Sequence, residues 1–372
     1  MLIQKVPENS QKILRIFPTE SQKQKVIKGK LLYIGNQLAS RGGSPTAADI
    51  LPQLLREQGY YVKSASTRKN KVLRILGMLF LVFRNRNATD FVLIDTYSTK
   101  NFWYAWAVAR LCQKLKLNYI PVLHGGDLPE RIKRSPKSSA KIFNRAYLNV
   151  APSLFLKSEF QKAGFHNIWY IPNSIHIKEY KFKERPVISP KLLWVRAFDE
   201  IYNPMLALQV LELLLEKYPQ AELCMIGPAK DESWNNCRRY ALQKKLPVKF
   251  AGKLSKKDWR VLSEGYDIFL NTTNIDNTPV SVIEAMALGL PVVSTNVGGL
   301  PFLISADVDG LLVPPNNPER MAGVVEKLIK DQEFSLKIAK AARMKSEAFD
   351  WEVVKEKWKK VLKFHSGAPK GG

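Results

Sequence analysis

Two carboxylates, Asp276 and Glu284, stand eight residues apart on either side of a predicted helix start. The apolar run at residues 266–271 before them is typical of a buried parallel strand. The loop that contains Asp276 therefore lies at the carboxyl end of this strand. Ligands of open α/β sheets bind at that edge, so these two acids are the first candidates for a functional site.

The helix that separates the acids has clear boundary signals. Thr278 is a favourable N-cap and Pro279 a favourable first helical residue, while Gly289 and Pro291 end the helix before a predicted strand at residues 292–295. Unpaired backbone N–H groups at a helix start attract phosphate. We therefore assign phosphate binding to the start of this helix, at Thr278, Pro279, Val280 and Ser281.

A carboxylate beside a phosphate site is repelled unless it has hydrogen-bond donors of its own, and the hydroxyl groups of sugars supply them. A pyrophosphate at the helix start, with a hydroxyl-rich ring on either side, has the chemical outline of a nucleotide sugar. The competing interpretation is an ordinary βα unit in which Asp276 lies on the surface and Glu284 belongs to the helix alone.

This stretch resembles the acid–seven residues–acid motif of family 4 retaining glycosyltransferases, which have the GT-B fold. The family usually has Glu-Gly-x-Pro followed by Glu-Ala, and here Asp276 and Asn277 replace the first Glu and the Gly, whereas Pro279 and Glu284 match. The resemblance implies that Glu284 holds the ribose hydroxyls of the donor. Asp276, with a shorter side chain than usual, would face the transferred sugar.

A histidine followed by two glycines ends another predicted strand, at residues 119–123. By resemblance, His124 is the family's strand-end histidine near the transferred sugar, and we predict a catalytic role for it together with Asp276. A hydrogen-bonded structural histidine is the alternative. Asp127 and Arg131 are assigned to the acceptor side; residues 128–138 are predicted to form a basic loop, for which simple solvation is an equal interpretation.

The family holds the donor pyrophosphate with two cations, an arginine at a strand end and a lysine several residues later. Arg196 fits the first, and we predict that it binds the donor and assists catalysis. Residues 201–204 contain no cation where the lysine is usual, which weakens charge neutralisation in the departing phosphate. Lys253, or the neutral donors Tyr202 and Asn203, are candidate substitutes, and an inactive relative is the further alternative.

Two loops with glycine complete the predicted donor site. Gly42 and Gly43 follow the first predicted strand, and the resemblance places them near the donor phosphates and the acceptor. A Gly-Gly pair alone is not specific, because many loops contain one. Gly252 and Lys253 fall where the family makes backbone contacts to the nucleotide base.

Predicted strands and helices alternate along both halves of the chain. The alternation predicts the α/β class, and with the resemblance a GT-B fold in which two Rossmann-like, doubly wound domains face each other across a cleft. We divide the chain into an N-terminal extension, an acceptor-side domain, a linker, a nucleotide-sugar-binding domain, a helix that crosses back to the first domain, and a tail: residues 1–28, 29–180, 181–190, 191–348, 349–364 and 365–372.

The formal net charge of +25 is concentrated in the first half of the chain. Residues 1–180 contain 29 Lys and Arg against 10 Asp and Glu, whereas the remainder contains 29 against 23. This asymmetry favours a polyanionic partner or an anionic membrane surface over lysines that are merely solvated. No ladder of aromatic and basic residues is present, so we expect no nucleic-acid partner.

Membrane-spanning and secretory segments are not expected. The longest apolar runs, 75–83 and 102–109, are far shorter than the roughly 20 residues that a spanning helix needs, and residues 1–10 lack an apolar signal core. Residues 70–85 predict a helix with basic ends and an apolar middle. We favour a crossover helix buried on the sheet, with an interfacial membrane helix as the alternative.

These observations together predict a retaining hexosyltransferase. It would move a sugar from a UDP- or GDP-linked donor to a hydroxyl of a glycan or lipid-linked acceptor, in cell-surface polysaccharide or glycolipid assembly. No cofactor and no metal are expected, because we recognise no Asp-x-Asp site and because the helix start and Arg196 would hold the negative charge. The three cysteines predict reduced buried thiols and a cytoplasmic protein, peripheral on the inner face of the membrane. The alternative is a weak or inactive nucleotide- or polyanion-binding protein at that surface.

Overall fold

The fold comes from a computed structural model, which describes residues 28–36, 46–65 and 70–363. Over these residues the chain forms two parallel six-stranded sheets with helices on their faces. The prediction of two doubly wound units is therefore confirmed, while the exact domain boundaries stay a prediction. Gly42 and Gly43, nearly all of the N-terminal extension and the tail lie outside the described residues.

The first sheet has the strand order β2-β1-β3-β4-β5-β6. Its strands are β1 (Lys30–Ile34), β2 (Tyr61–Ala65), β3 (Phe91–Tyr97), β4 (Tyr119–His124), β5 (Asn149–Ala151) and β6 (Ile168–Tyr170). The helices of this half are α1 (Ala47–Glu57), α2 (Lys71–Arg84), α3 (Phe102–Lys114), α4 (Leu128–Arg134), α5 (Pro136–Phe143) and α6 (Leu154–Lys162). All strand pairs are parallel, so the carboxyl ends of the strands share one edge.

The second sheet has the strand order β12-β11-β10-β7-β8-β9. Its strands are β7 (Lys191–Val195), β8 (Glu222–Ile226), β9 (Val248–Gly252), β10 (Ile268–Asn271), β11 (Val292–Thr295) and β12 (Leu311–Val313). The remaining helices are α7 (Pro204–Leu215), α8 (Ser233–Gln243), α9 (Lys256–Ser263), α10 (Val280–Ala287), α11 (Leu300–Leu303), α12 (Pro318–Lys330), α13 (Gln332–Glu347) and α14 (Trp351–Val361).

Each sheet has one place where the strand order reverses. In the first sheet the reversal lies between β1 and β3, and in the second it lies between β7 and β10. The connections from these strands leave toward opposite faces, which opens a crevice at the carboxyl ends of the strands. The loops after β7 and β10 contain Arg196 and Asp276, so the predicted site of the second half lies at its topological switch point.

The chain passes twice between the two halves, and the two passages run side by side. Ile175, after β6, forms a parallel bridge with Asp350, before α14. The Ile175 N–H donates to Phe349 O at 2.9 Å, and the Trp351 N–H donates to Ile175 O at 2.8 Å. Beyond this bridge α14 returns to the first sheet, where Trp351, Val354 and Trp358 join the same buried cluster as Leu31 and Tyr33.

The segment predicted as a linker, residues 181–190, contains no helix or strand. Arg185 within it is buried and its guanidinium donates to the carbonyl oxygens of Tyr266, Leu288 and Gly289 at 2.9–3.1 Å. Burial lowers the pKa of Arg185, although Asp267 nearby opposes this effect. The segment is therefore fixed to the second half of the molecule.

The prediction of a basic loop at residues 128–138 is wrong, because α4 and α5 occupy this segment. The segment contains two prolines, Pro129 and Pro136. Both prolines lie in the first turn of a helix, where the missing N–H has no intrahelical partner to lose. The basic side chains of this segment are therefore held on short helices.

The prediction of a helix at residues 70–85 is confirmed in position, since α2 runs from Lys71 to Arg84 and the Asn70 side chain accepts from Val72 N and Leu73 N. The expectation that it is buried holds for one side only. Met78 and Val82 are buried, whereas five other large apolar side chains of α2 are exposed. No helix in the described part of the chain is long and apolar enough to cross a membrane.

Candidate active site

Each domain forms one wall of the cleft between them. The wall of the first domain is centred on Asp95, on β3. His124 Nε2 lies 2.8 Å from Asp95 Oδ1, and the Tyr33 hydroxyl donates to the same oxygen at 2.6 Å. The three residues come from β4, β3 and β1, so neighbouring strands position all of them. The other carboxylate oxygen, Oδ2, is buried without a hydrogen-bond partner among the described residues. Asp95 thus fixes the His124 ring through Oδ1, and its Oδ2 is free to accept a hydrogen bond from a ligand.

Neighbouring residues determine the space around Asp95 and His124. A Cβ at Gly35, directly after β1, would overlap with Asp95 Oδ2, so only glycine fits there. The Tyr97 ring stacks on the His124 ring with a centroid distance of 4.8 Å and an interplanar angle of 25°. Burial, and then the charge of Asp95, raise the pKa of Tyr33 and Tyr97 well above the usual range. Tyr33 therefore stays a neutral hydrogen-bond donor to the carboxylate.

The wall of the second domain contains an ion pair between Arg196 and Asp276. These residues follow β7 and β10, the two strands at the switch point. The Arg196 guanidinium also lies over the Tyr202 ring, with Cζ 3.9 Å from the ring centroid. Arg196 Nε is buried without a hydrogen-bond partner among the described residues. This nitrogen is a donor that a phosphate oxygen can use.

The loop that contains Asp276 rests on a glycine pair after β11. The Gly299 N–H donates to Asp276 O at 2.9 Å. A Cβ at Gly298 would overlap with Asp276 O, and a Cβ at Gly299 would overlap with Asn277 O. The Gly-Gly of the motif is therefore needed for close contact between two backbones, and it sets the position of Asp276.

Glu284, the second acid, is buried inside α10 with its side chain 2% exposed. Oε1 accepts from the Tyr180 hydroxyl at 2.6 Å and is paired with Lys256 Nζ. Burial and the charge of Glu284 raise the pKa of Tyr180, so this tyrosine also stays protonated. Glu284 Oε2 and Ser281 Oγ are both buried without hydrogen-bond partners in the described structure. Such atoms can bind the hydroxyl groups of a ribose ring.

The helix start lies one residue later than the sequence predicts. α10 begins at Val280, and Pro279 is the N-cap with φ −67° and ψ 120°. The proline ring fixes φ near −65°, a value that occurs both in a first helical residue and in an extended N-cap. The two positions differ in ψ, and the extended ψ of Pro279 makes it the N-cap. Thr278 is thus outside the helix, and the backbone N–H groups of Val280 and Ser281 come first among the unpaired donors.

The two walls touch at the predicted catalytic residues. Gly126, two residues after His124, lies so close to the second domain that a Cβ on it would be 3.2 Å from Asp276 C. Ser153 Oγ hydrogen-bonds Asn277 Oδ1, and Asn173 Nδ2 donates to Thr278 O at 3.5 Å. The structure therefore brings the His124 loop and the Asp276 loop together, as a joint active site requires.

The two residues assigned to the acceptor side have partners within the first domain. Asp127 pairs with Arg134 at 2.7 Å, on the exposed side of α4. The Arg131 guanidinium donates from Nε to Ser98 O at 2.6 Å and lies near the Phe102 ring. Arg131 thereby ties α4 to the loop after β3. Contact of either residue with an acceptor stays a prediction.

The three residues proposed to replace the usual lysine have different surroundings in the structure. Tyr202 supports the Arg196 guanidinium, and the Asn203 amide donates to Asn316 Oδ1 at 2.8 Å. Lys253 is exposed after Gly252, whose φ of +65° favours glycine. Lys256, at the start of α9, pairs with Glu284, the second acid of the motif.

Residues 177–345 match the family model described as glycosyl transferases group 1. The second domain is a glycosyl transferases group 1 domain. The match covers Arg196, Asp276, Glu284 and the Gly298-Gly299 pair, so the residues predicted from the motif belong to it.

Several curated relatives are glycosyltransferases by name. An uncharacterized glycosyltransferase of Haemophilus influenzae is 31% identical over 156 residues, which is 42% of this chain and 44% of that protein. The sulfoquinovosyl transferase SQD2 of Arabidopsis thaliana is 31% identical over 41% of this chain and 29% of its own length. This chain thus spans less than half of the length of these two relatives. AmsK of Erwinia amylovora, an amylovoran biosynthesis glycosyltransferase, is 23% identical over 81% of this chain and 76% of its own.

Solved structures share the whole two-domain arrangement. The Anabaena protein HepE, in complex with UDP and glucose, superposes with a TM-score of 0.72 over 90% of this chain and 99% of its own, at 18% identity. A sucrose-phosphate synthase from Thermosynechococcus elongatus superposes with a TM-score of 0.74 over 90% and 98%, at 15% identity. At these identities the likeness shows the fold, and the predicted GT-B fold is confirmed.

The group 1 domain also depends on residues that the sequence did not single out. Tyr180 and Lys256 hold Glu284, although neither belongs to the motif. Asp95 lies near the carboxyl end of β3, and an acid at the end of an apolar run is a usable signal. Ser153 is the N-cap of α6, but its contact with Asn277 joins two distant segments and leaves no local pattern.

No group of three or more metal-binding side chains occurs in the part of the chain that the structure describes. The expectation that the chain has no Asp-x-Asp sequence is wrong, because one is present at residues 307–309, in a turn before β12. Asp309 there pairs with Lys345 and accepts from Ser305 N, both at 2.6–2.8 Å. Asp307 pairs with Lys327 at 3.1 Å. These two acids have structural partners of their own.

Proposed function

We propose that this protein is a retaining glycosyltransferase. It moves a hexosyl group from a UDP- or GDP-linked sugar to a hydroxyl of a glycan or lipid-linked acceptor, in the assembly of a cell-surface polysaccharide or glycolipid. One observation carries the proposal: the loop after His124 meets the loop that contains Asp276, so the two domains form one site. The name of AmsK, which matches most of this chain, agrees with a polysaccharide product.

The donor is proposed to lie along the second domain. The N–H groups of Val280 and Ser281, together with Arg196, present hydrogen-bond donors to a pyrophosphate. Glu284 Oε2 and Ser281 Oγ offer unpaired buried acceptors for ribose hydroxyls. HepE, whose fold this chain shares, was solved with UDP and glucose, which supports a nucleotide-sugar donor.

The proposed reaction exchanges two bonds at one carbon. The bond between the anomeric carbon and the donor phosphate breaks, and a bond from the acceptor oxygen forms on the same face of the sugar. The leaving phosphate accepts the proton of the acceptor hydroxyl, so charge develops on the phosphate and not on a side chain. Arg196 and the start of α10 stabilise that charge, and His124, held by Asp95, orients the hydroxyl groups.

We keep a second candidate function, because residues 201–204 contain no lysine. With one cation fewer at the pyrophosphate, the protein would bind a nucleotide or another polyanion at the membrane surface and transfer sugar weakly or not at all. The proposed location is the same in both cases: the cytoplasm, with peripheral attachment to the inner face of the membrane. The excess of positive charge in residues 1–180 supports this location.

The test is thermal unfolding with UDP-, GDP- and ADP-sugars. A ligand at about 100 times its Kd adds roughly 2.7 kcal/mol to the free energy of unfolding. We expect one nucleotide series to raise Tm, and Glu284→Ala to abolish the shift, because each hydrogen bond to a charged group contributes about 1.5–3 kcal/mol.

The matched control is Glu326→Ala. Glu326 is also a paired acid of the second domain, with Lys217 and Lys330, but it lies on α12 away from the motif. Its variant should keep the shift. An unchanged shift in Glu284→Ala would disprove the donor site. A shift without sugar transfer to any hydroxyl acceptor, water included, would establish the binding-protein alternative.

A further inference from the structure

The outward side of α2 consists of large apolar side chains. Val72, Leu73, Leu76, Phe80 and Phe83 are between 48% and 64% exposed. At about 100° per residue along an α-helix, these five positions fall within an arc of about 100°. They form one continuous stripe, which we call the α2 stripe. Soluble proteins rarely leave a contiguous apolar surface of this kind without a partner.

The charge around the α2 stripe has a single sign. From Lys71 to Arg86 the sequence contains four cationic side chains, Lys71, Arg74, Arg84 and Arg86, and no acidic one. Arg84 is exposed at the end of the helix, and Arg86 Cζ lies 4.2 Å from the centroid of the exposed Phe83 ring. An apolar face bordered by cations complements a surface that has negative head groups outside and hydrocarbon inside.

We propose that α2 docks this protein on an anionic lipid bilayer. The α2 stripe enters the boundary between head groups and acyl chains, while the flanking Lys and Arg side chains contact lipid phosphates. The opposite side of the helix, with Met78 and Val82, stays packed on the first domain. With 14 residues α2 is too short to span the membrane, so it lies in the plane of the interface.

The position of α2 connects the bilayer with the part of the proposed active site that contains Asp95 and His124. Arg74, in the first turns of α2, donates from Nη1 to Asn36 Oδ1 at 3.3 Å, and Asn36 follows β1 at the edge where Asp95 and His124 lie. Met78 and Asp95 line the same crevice between α2, α3 and the strand ends. This part of the inference rests on the proposed function: it names the acceptor as one anchored in the membrane that α2 contacts.

The test is co-sedimentation of the full chain with vesicles, without any nucleotide sugar. Vesicles of phosphatidylcholine with phosphatidylglycerol should bind the protein, and vesicles of phosphatidylcholine alone should bind it at least about tenfold less. The double variant Leu76→Ser/Phe80→Ser should lower binding to the anionic vesicles by about tenfold or more, because two large apolar side chains no longer enter the bilayer. The variant Arg84→Gln/Arg86→Gln should lower binding and reduce its dependence on salt.

The matched control is Leu242→Ser/Met344→Ser, which removes two large apolar side chains of the second domain that are even more exposed than Leu76 and Phe80. It should bind vesicles as the unchanged protein does. Equal loss in the control, or no loss in the α2 variant, would overturn the proposal. Sedimentation velocity gives a further test. If the protein is a dimer that the α2 variant dissociates, and vesicle binding does not change, the partner of α2 is a second copy and the proposal is overturned. The donor-induced Tm shift is measured without vesicles, so failure of either proposal is seen independently of the other.

Discussion

At the scale of single residues, Asp95 explains how His124 of the first domain is held in position. Its Oδ1 is shared by His124 and by the Tyr33 hydroxyl, and the raised pKa of Tyr33 keeps that hydroxyl protonated. A charge-assisted hydrogen bond is about twice as strong as a neutral one, so the carboxylate restrains the imidazole ring more firmly than an amide could. Asp95 is therefore a positioning residue for His124.

We predict that Asp95→Asn lowers kcat/KM by about tenfold or more, since about 1.4 kcal/mol of a charge-assisted hydrogen bond is lost from the transition state. The donor-induced Tm shift should persist, because the contacts proposed to hold the donor pyrophosphate and ribose most firmly, at Arg196, the start of α10 and Glu284, belong to the second domain. Asp90→Asn, before the start of the same strand, is the control: Asp90 accepts from Lys30 N at 2.7 Å and is remote from His124. Loss of the donor shift in Asp95→Asn would contradict a role limited to His124.

Single residues also mark where sequence patterns stop being informative. The motif singled out Asp276 and Glu284 by their spacing along the chain, and Arg196 was chosen as a strand-end arginine; the structure brings Arg196 and Asp276 into an ion pair. Tyr180 could not be predicted. It reaches Glu284 across 104 positions of sequence, and only the folded path of the chain after β6 makes that contact.

At the scale of elements, periodicity predicted the strands well and one helical surface poorly. Buried parallel strands give short continuous apolar runs, which the sequence shows clearly. Residues 71–84 are apolar on nearly every side, so their pattern indicates a helix without indicating which side is buried. Packing of Met78 and Val82 on the first domain makes that choice, and it leaves Phe80 outside.

The returning helix α14 gives the clearest prediction at this scale. Trp358 is 4% exposed and belongs to the same buried cluster as Leu31 and Tyr33 of the first sheet. We expect Trp358→Ala to lower the free energy of unfolding by about 3–5 kcal/mol, because it removes a large buried side chain and leaves a cavity. Urea unfolding followed by circular dichroism measures this loss.

Val353→Ala on the same helix is the control for the loss of helix packing. Val353 is half exposed, so its truncation should change the free energy of unfolding by no more than about 0.5 kcal/mol. If both variants had the same small effect, α14 would not stabilise the first domain in solution.

At the scale of the whole molecule, the βα alternation predicts two domains but says nothing about how they meet. The contacts across the cleft include two from loops, Gly126 against Asp276 and Ser153 against Asn277. The two passages of the chain between the domains are joined at Ile175 and Asp350, which gives a narrow connection about which the domains can turn. Asn277 stands where the resembled motif usually has glycine, so this chain has a side-chain contact across the cleft that a glycine cannot make.

We predict that Asn277→Gly shifts the molecule toward an open arrangement. The variant removes the acceptor of Ser153 Oγ, while Ser153 still accepts from Leu156 N at 2.9 Å and caps α6. The radius of gyration from small-angle scattering should therefore rise, and amide exchange should accelerate around Gly126 and Asp276. Because each domain keeps its own core, Tm should change little.

The variant Asn274→Gly is the control that distinguishes opening of the domains from a local increase in flexibility of the loop. Asn274 lies in the same loop, but its side chain donates to Glu200 O at 3.2 Å within the second domain. This control should change exchange locally and leave the radius of gyration unchanged. Saturating donor should bring Asn277→Gly back to the compact radius, because a ligand that contacts both walls shifts the population toward the closed state. A radius that is equal in both variants without donor would mean that the Ser153–Asn277 contact does not hold the cleft shut, and that other contacts, such as that of Gly126 with Asp276, suffice.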